Sequence, residues 1–391
     1  MLPTFKITIN IGCCQTLLSA VYFPGQSIQG VVQFYVDSKI NTTGVHIEFC
    51  GVTYVDFKEK QRNGQGESCY SSLENHCHNT VALASNDGSE FCLSTGTYQY
   101  LFTTQLPEEL PTSFECDGGY TRYNLRAYIA CSSQDEMSCI LPVTVLTVFD
   151  LNESIYAMRS EEVDDLQLVG CCSKKCVKTK LKLTKSGYVP GERIQLDASC
   201  DNQTQKSLDQ AYVNLFMNIT LKTEKKDLVV QKIIRSWSVP EIPPQTHLSL
   251  DDLQLTVPPL PSSGSRYCNN IDIHYTLQFT VELSNDVCCT SSLSLIVGNV
   301  PLESCANQYT GNEGANVAKV NNQQLPNEIQ KRLLNSAGVP THKYDNTSCV
   351  LVDTYFRSSD KDGEWHPEPL PAQPVKWRPS YLYYVNRISD T

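Results

Sequence analysis

Tyr22-Phe23-Pro24-Gly25-Gln26-Ser27-Ile28 is followed, 166 positions later, by Tyr188-Val189-Pro190-Gly191-Glu192-Arg193-Ile194, so the chain uses the phrase Tyr-x-Pro-Gly-x-x-Ile twice. Proline presets φ near about −65° and the glycine after it supplies a positive φ, which together specify a type II turn. Each copy lies between strand-like runs, Phe5 to Ile11 and Gly30 to Val36 around the first, Lys178 to Thr184 and Gln195 to Cys200 around the second. A repeat at this distance has the size of a domain, and it predicts two related domains in tandem.

The composition agrees with sheet rather than helix. Val, Ile, Thr, Tyr and Phe recur in short alternating runs, and 20 Pro with 20 Gly punctuate the 391 residues. The expected fold class is all-β. A formal net charge of −11 argues against general nucleic-acid binding, which needs an excess of Lys and Arg. The most apolar segment, Cys139 to Phe149, is much shorter than the roughly 20 residues that span a bilayer as a helix. The opening MLPTFKITINIG has no basic region, apolar core or cleavage site of a secretory signal, which predicts a cytoplasmic protein whose 18 cysteines are thiols.

Reading along the chain, the first domain is expected over residues 1–150. It comprises hairpins with Gly51 as a bulge, a polar loop at Lys58 to Ser72, and an irregular corner at Leu106-Pro107-Glu108-Glu109-Leu110-Pro111-Thr112-Ser113-Phe114. The acidic stretch from about Asp150 to Gly170 is expected to be a hinge, with the linker running over 151–176. The second domain, 177–302, repeats the plan with a long hairpin at Gln210 to Thr223 and Leu228 to Val239 and a proline-rich crossing. Residues 303–391 are expected to be a largely disordered tail with one short helix at Pro326 to Asn335.

The strand–turn–strand opening, the Leu-Pro-x-x-Leu-Pro-x-Ser-Phe corner and the Lys185-Ser186-Gly187-Tyr188-Val189-Pro190-Gly191-Glu192 phrase together resemble the arrestin-domain-containing proteins, or α-arrestins. So do Cys171-Cys172-x-x-x-Cys176 and Val297-Gly298-Asn299-Val300-Pro301-Leu302, and the resemblance covers about residues 5–302. Visual and β-arrestins carry an amphipathic helix where this chain has the strand-like Val81 to Phe102. The resemblance implies two β-sandwiches side by side. It also implies a non-enzymatic adaptor linking cytoplasmic tails of membrane receptors or transporters to ubiquitin ligases and to endocytic or sorting machinery. A scaffold subunit of a retromer-like sorting complex and an extracellular Ig-like adhesion module are the alternative readings.

Two groups of residues carry the candidate contacts. Lys178, Lys180 and Lys182 share one face of a strand and offer either a landing surface for acidic cargo tails and anionic lipid or protection of a sheet edge. In the tail, Arg378-Pro379-Ser380-Tyr381 is one residue short of the Pro-Pro-x-Tyr motif that WW domains of ubiquitin ligases read in α-arrestins, since Arg378 replaces the first proline and the groove loses one of its two stacked prolines. The competing reading is the short Pro-x-Tyr segment that follows the second domain in relatives, packing or serving other partners. Cys69, His76, Cys77, His78 and Cys92 match none of the recurrent zinc spacings, so no metal site, cofactor, small-molecule substrate or nucleic-acid partner is expected.

Overall fold

The computed structural model describes residues 6–11, 21–60, 66–131, 137–169, 175–250, 255–284, 287–302, 304, 349–353 and 379–384. The first domain contains β1 (Lys6–Ile11), β2 (Val21–Tyr22), β3 (Ser27–Val36), β4 (Ile40–Thr42), β5 (Gly44–Lys60) and β6 (Glu67–Ser85). It continues with β7 (Phe91–Leu93), β8 (Gly96–Gln105), β9 (Phe114–Cys116), β10 (Gly119–Ala130) and β11 (Met137–Val145). One sheet has the order β1-β3-β8; the other runs β2-β11-β10-β5-β6, with β9 added against β10. Alternation puts Ile28, Val32, Phe34 and Val36 of β3 inward, where they meet Val45, Ile47 and Phe49 of β5 and Leu125, Ala127 and Ile129 of β10.

The second domain contains β12 (Glu161–Leu168), β13 (Cys176–Leu183), β14 (Gly187–Tyr188), β15 (Arg193–Ile194), β16 (Leu196–Asn202), β17 (Ala211–Lys222) and β18 (Asp227–Ser238). Then come β19 (Thr246–Ser249), β20 (Leu255–Thr256), β21 (Ile271–Ser284) and β22 (Val287–Val297). Its sheets are ordered β12-β13-β16-β19 and β14-β22-β21-β17-β18. The protein is therefore two tandem β-sandwiches. In the tail, β23 (Cys349–Asp353) pairs antiparallel with β24 (Ser380–Tyr384). The helix expected at 326–335 lies outside the described residues.

The repeated phrase builds the same device in both domains. Tyr22 and Tyr188 each sit in a two-residue strand that runs parallel to the last strand of its own sandwich, Tyr22 opposite Val145 and Tyr188 opposite Val297. Gly25 at φ +79° and Gly191 at φ +91° provide the left-handed turn position. Gln26 N donates to Phe23 O at 3.1 Å and Glu192 N to Val189 O at 3.0 Å, closing the two turns. Gly25 N reaches Pro107 O at 3.0 Å and Gly191 N reaches Val257 O at 2.7 Å, so each turn is tied to the crossing segment of its domain.

Three stretches differ from the expectation. Lys58 to Ser72 was expected as a loop, but β5 continues to Lys60 and β6 begins at Glu67, forming an arm whose Val55, Phe57 and Tyr70 pack on the core of the second domain. Polarity on its outer face hid the apolar inner one. The acidic stretch expected as a hinge contains β12, which is bound along its length to β13 and is the edge strand of the second sandwich. Its outer side chains are charged because an edge strand faces solvent. Third, β13 is an interior strand, so its lysines do not guard an edge.

The register of β5 against β6 shifts between Gly51 and Val52, and the extra residue is His76, so the bulge lies in β6, in the strand opposite Gly51 rather than in the strand that carries it. Tyr123 packs over this point so closely that a Cβ on Gly51 would lie 2.4 Å from its ring. The shift also changes which side chains of β6 turn inward. Before it these are Tyr70, Ser72, Glu74 and His76, next to the second domain; after it they are Cys77, Val81 and Leu83, on the first core.

Candidate functional site at the domain junction

Each domain has an irregular corner where the chain crosses between sheets, and the two corners are built alike. Tyr123 Oη donates to Pro111 O at 2.6 Å and Tyr275 Oη donates to Pro261 O at 2.8 Å. Ser113 N donates to Val145 O at 2.8 Å while Val145 N donates to Ser113 Oγ at 2.9 Å. Ser263 and Val297 exchange the same two bonds at 2.8 and 2.9 Å. Leu110-Pro111-Thr112-Ser113 and Leu260-Pro261-Ser262-Ser263 are thus a second internal repeat, which the prolines around it concealed.

The corners and the turns meet where the domains join. Val55, Phe57 and Phe114 of the first domain complete the core of the second, and burial of such side chains stabilises by about 1.5–3 kcal/mol each. Polar contacts fix the connecting strand: Asn299 Nδ2 donates to Thr147 O at 2.7 Å, its Oδ1 accepts from Phe149 N at 2.8 Å, and Asn152 Nδ2 donates to Pro301 O at 2.9 Å. Lys232 reaches Asp117 at 3.0 Å and Arg266 donates to Val148 O at 2.8 Å.

A segment of the tail lies in this junction. Pro379, Tyr381 and Leu382 are buried, and Tyr381 and Leu382 pack in a cluster with Val21, Phe23, Leu146, Val189, Val300 and Leu302, residues of both domains. Tyr381 Oη donates to Ser113 O at 2.9 Å, a bond spanning 268 positions. Burial raises the pKa of Tyr381 well above the usual tyrosine range, with Glu115 and Cys116 adding to it, and it does the same to the neighbouring Tyr275. Both phenols are neutral donors. Of the tail residues singled out in the sequence, Pro379 and Tyr381 are therefore docked in the junction, and Arg378 lies outside the described residues.

Lys178, Lys180 and Lys182 do share the outer face of β13. Lys178 is 2.8 Å from Asp164, Lys180 is 2.7 Å from Glu162, and Lys182 is 3.9 Å from Glu162, all across to β12. On the other side β16 sets Asp201 opposite Lys178 and Asp197 opposite Lys182. Hydrogen bonds to Asp164 and Glu162 raise the pKa of Lys178 and Lys180 respectively. The row is charge-balanced, and its pairs are exposed, of the kind that salt screens readily.

The family model described as Arrestin (or S-antigen), N-terminal domain, matches residues 16–152, and that described as Arrestin (or S-antigen), C-terminal domain, matches residues 173–302. The chain belongs to the arrestin-domain-containing proteins. It is 24% identical over 352 residues to arrestin domain-containing protein 17 of Caenorhabditis elegans, covering 85% of this chain and 78% of that relative. It is 26% identical over 313 residues to human arrestin domain-containing protein 1, covering 76% of this chain and 64% of the relative. With arrestin domain-containing protein 5 of Bos taurus it shares 22% identity over 312 residues, 76% of this chain and 91% of that one. The chain thus spans just under two thirds of the human relative it matches. Among the described residues no helix is long and apolar enough to cross a membrane.

Proposed function

We propose that this arrestin-domain protein is a non-enzymatic adaptor that binds cytoplasmic tails of membrane receptors or transporters and connects them to sorting or ubiquitination machinery. The observation that carries the reading is a body of two arrestin domains with a shared core and a Pro-x-Tyr segment of the tail folded back onto both. Acidic or phosphorylated cargo tails, or anionic head groups, meet the Lys178, Lys180 and Lys182 row by replacing Glu162 and Asp164, whose exposed pairs are weak competitors.

Affinity purification with mass spectrometry tests it, comparing the intact chain, the Lys178→Glu/Lys180→Glu/Lys182→Glu variant and a truncation after residue 302. Receptors or transporters captured with a ubiquitin ligase, the cargo reduced by the triple substitution and the ligase lost on truncation, is the expected pattern. One stoichiometric coat complex that survives truncation would replace the adaptor by the scaffold reading, and cargo capture untouched by the triple substitution would remove the lysine row from it.

Recruitment through the tail motif is conditional on undocking, because a WW groove reads the tyrosine and Tyr381 is enclosed. A WW-domain array probed with the isolated 370–391 peptide and with the intact chain tests it, and stronger capture of the peptide than of the intact chain supports a motif released by undocking. An array that captures neither ends the ligase role of this motif, and equal capture of both ends the requirement for undocking.

A further inference from the structure

Glu74 and His76 of β6 face Cys268 of the second domain across the junction, and one ligand atom from each lies within 4.8 Å of the others. We propose that these three side chains form a zinc site that staples the two domains, with water as the fourth ligand. The donor types are those zinc takes, nitrogen, sulfur and carboxylate oxygen. Cys268 Sγ and Glu74 Oε2 are 3.8 Å apart. A tetrahedron with zinc–ligand bonds of about 2.0–2.3 Å has edges of about 3.3–3.8 Å, so the pair already has nearly the spacing it needs.

Irregular backbone aims both sides of the site. His76 is the residue left unopposed by the register shift in β6, the device that re-aims a side chain from a strand. Tyr267, next to Cys268, is held at φ +61°, a conformation that a bulky residue seldom adopts outside a functional turn. Around the donors the partners are neutral. Glu74 accepts from Asn269 N at 2.9 Å, Asn269 Nδ2 at 2.7 Å and Asn270 N at 3.3 Å, contacts that orient its carboxylate as an outer shell does. Thr53 Oγ1 stands 2.7 Å from His76 Nε2 and 3.6 Å from Cys268 Sγ, marking where they converge. It also meets Thr121 Oγ1 at 2.7 Å, a partner it retains when the metal takes its place beside the imidazole.

The other group of this kind among the described residues, Glu48, Cys50 and His78, is unlike it: Arg126 lies 2.9 Å from the Glu48 carboxylate and sets a fixed positive charge where a cation would sit. Binding at Glu74, His76 and Cys268 exchanges the thiol proton of Cys268 for the metal, which leaves a zinc–thiolate bond between the domains and one proton released to solvent.

Cobalt(II), a spectroscopic stand-in for zinc, is titrated into the full chain after removal of metal with a chelator. The expected result is one cobalt per chain with thiolate charge-transfer and four-coordinate visible bands, displaced by zinc. Cys268→Ser abolishes the charge-transfer band, and His76→Asn weakens cobalt binding by at least about tenfold. Zinc also raises the melting temperature of the unsubstituted chain, and by less in both variants. Absence of the bands, bands that survive Cys268→Ser, or undiminished affinity in His76→Asn would each overturn the proposal and assign any cobalt bound to other thiols.

Discussion

Tyr381→Ala is expected to lower the unfolding free energy of the full chain by about 3 kcal/mol, a large effect for a residue 79 positions beyond the end of the second domain. The reason is where the ring sits. Only 3% of Tyr381 is exposed, and removing the ring empties a site lined by Val21 and Phe23 from one domain and Val189 and Val300 from the other. Tyr381→Phe keeps the packing and loses only the bond to Ser113 O, so about 1 kcal/mol is expected. Urea unfolding of the three proteins measures both. The alkaline limb gives an independent reading, since burial raises the phenol pKa of Tyr123, Tyr275 and Tyr381 above an unfolded value of about 10. Their contribution is complete below that pH and is lost as pH rises toward the folded values, because the unfolded chain then ionises first. Tyr381→Phe removes one of the three and should flatten the decline. A Tyr381→Ala chain that unfolds with the parent would mean that the tail is not held in the junction in solution.

What could be read from the sequence was what local chemistry encodes. The two Pro-Gly turns and their flanking strands follow from backbone preference and alternation, and the structure has them, while Gly51 marks a register shift whose extra residue is in the partner strand. β12 was read as a hinge because Glu161-Glu162-Val163-Asp164-Asp165 has too few apolar residues to signal a strand; what holds it is the register with β13 and a ladder of opposite charges, visible only when the lysines are seen opposite the carboxylates. The arm of β5 and β6 was missed for the converse reason, as it buries Phe57 and Tyr70 against a different domain. The junction itself is beyond local reading. Ser113 meets Tyr381 over 268 positions, and Glu74 meets Cys268 over 194, so neither spacing carries a signal.

Glu192→Ala is expected to cost about 3–5 kcal/mol, the range for removing one partner of a buried ion pair. Glu192 is 1% exposed, and its carboxylate does two things: one oxygen pairs with the ammonium of Lys185, itself 7% exposed, and the other accepts from Val189 N at 3.1 Å within the Pro-Gly turn. Alanine strips the buried ammonium of its counter-charge and the turn of its acceptor together. The Tyr188 ring, 4.6 Å from Lys185 Nζ, offsets only part of the first loss. The other domain shows how the turn works without the ion pair, because Gln26 occupies the position of Glu192 and its Oε1 accepts from Phe23 N at 2.8 Å. Lys185→Met with Glu192→Gln therefore converts the second turn to the chemistry of the first, removing both charges while keeping the acceptor. This double variant should recover most of the stability that Glu192→Gln alone loses, and a denaturation cycle over the two single and one double substitution measures the coupling. Equal losses in the double variant and in Glu192→Gln would mean that the Lys185 charge is not what Glu192→Gln costs.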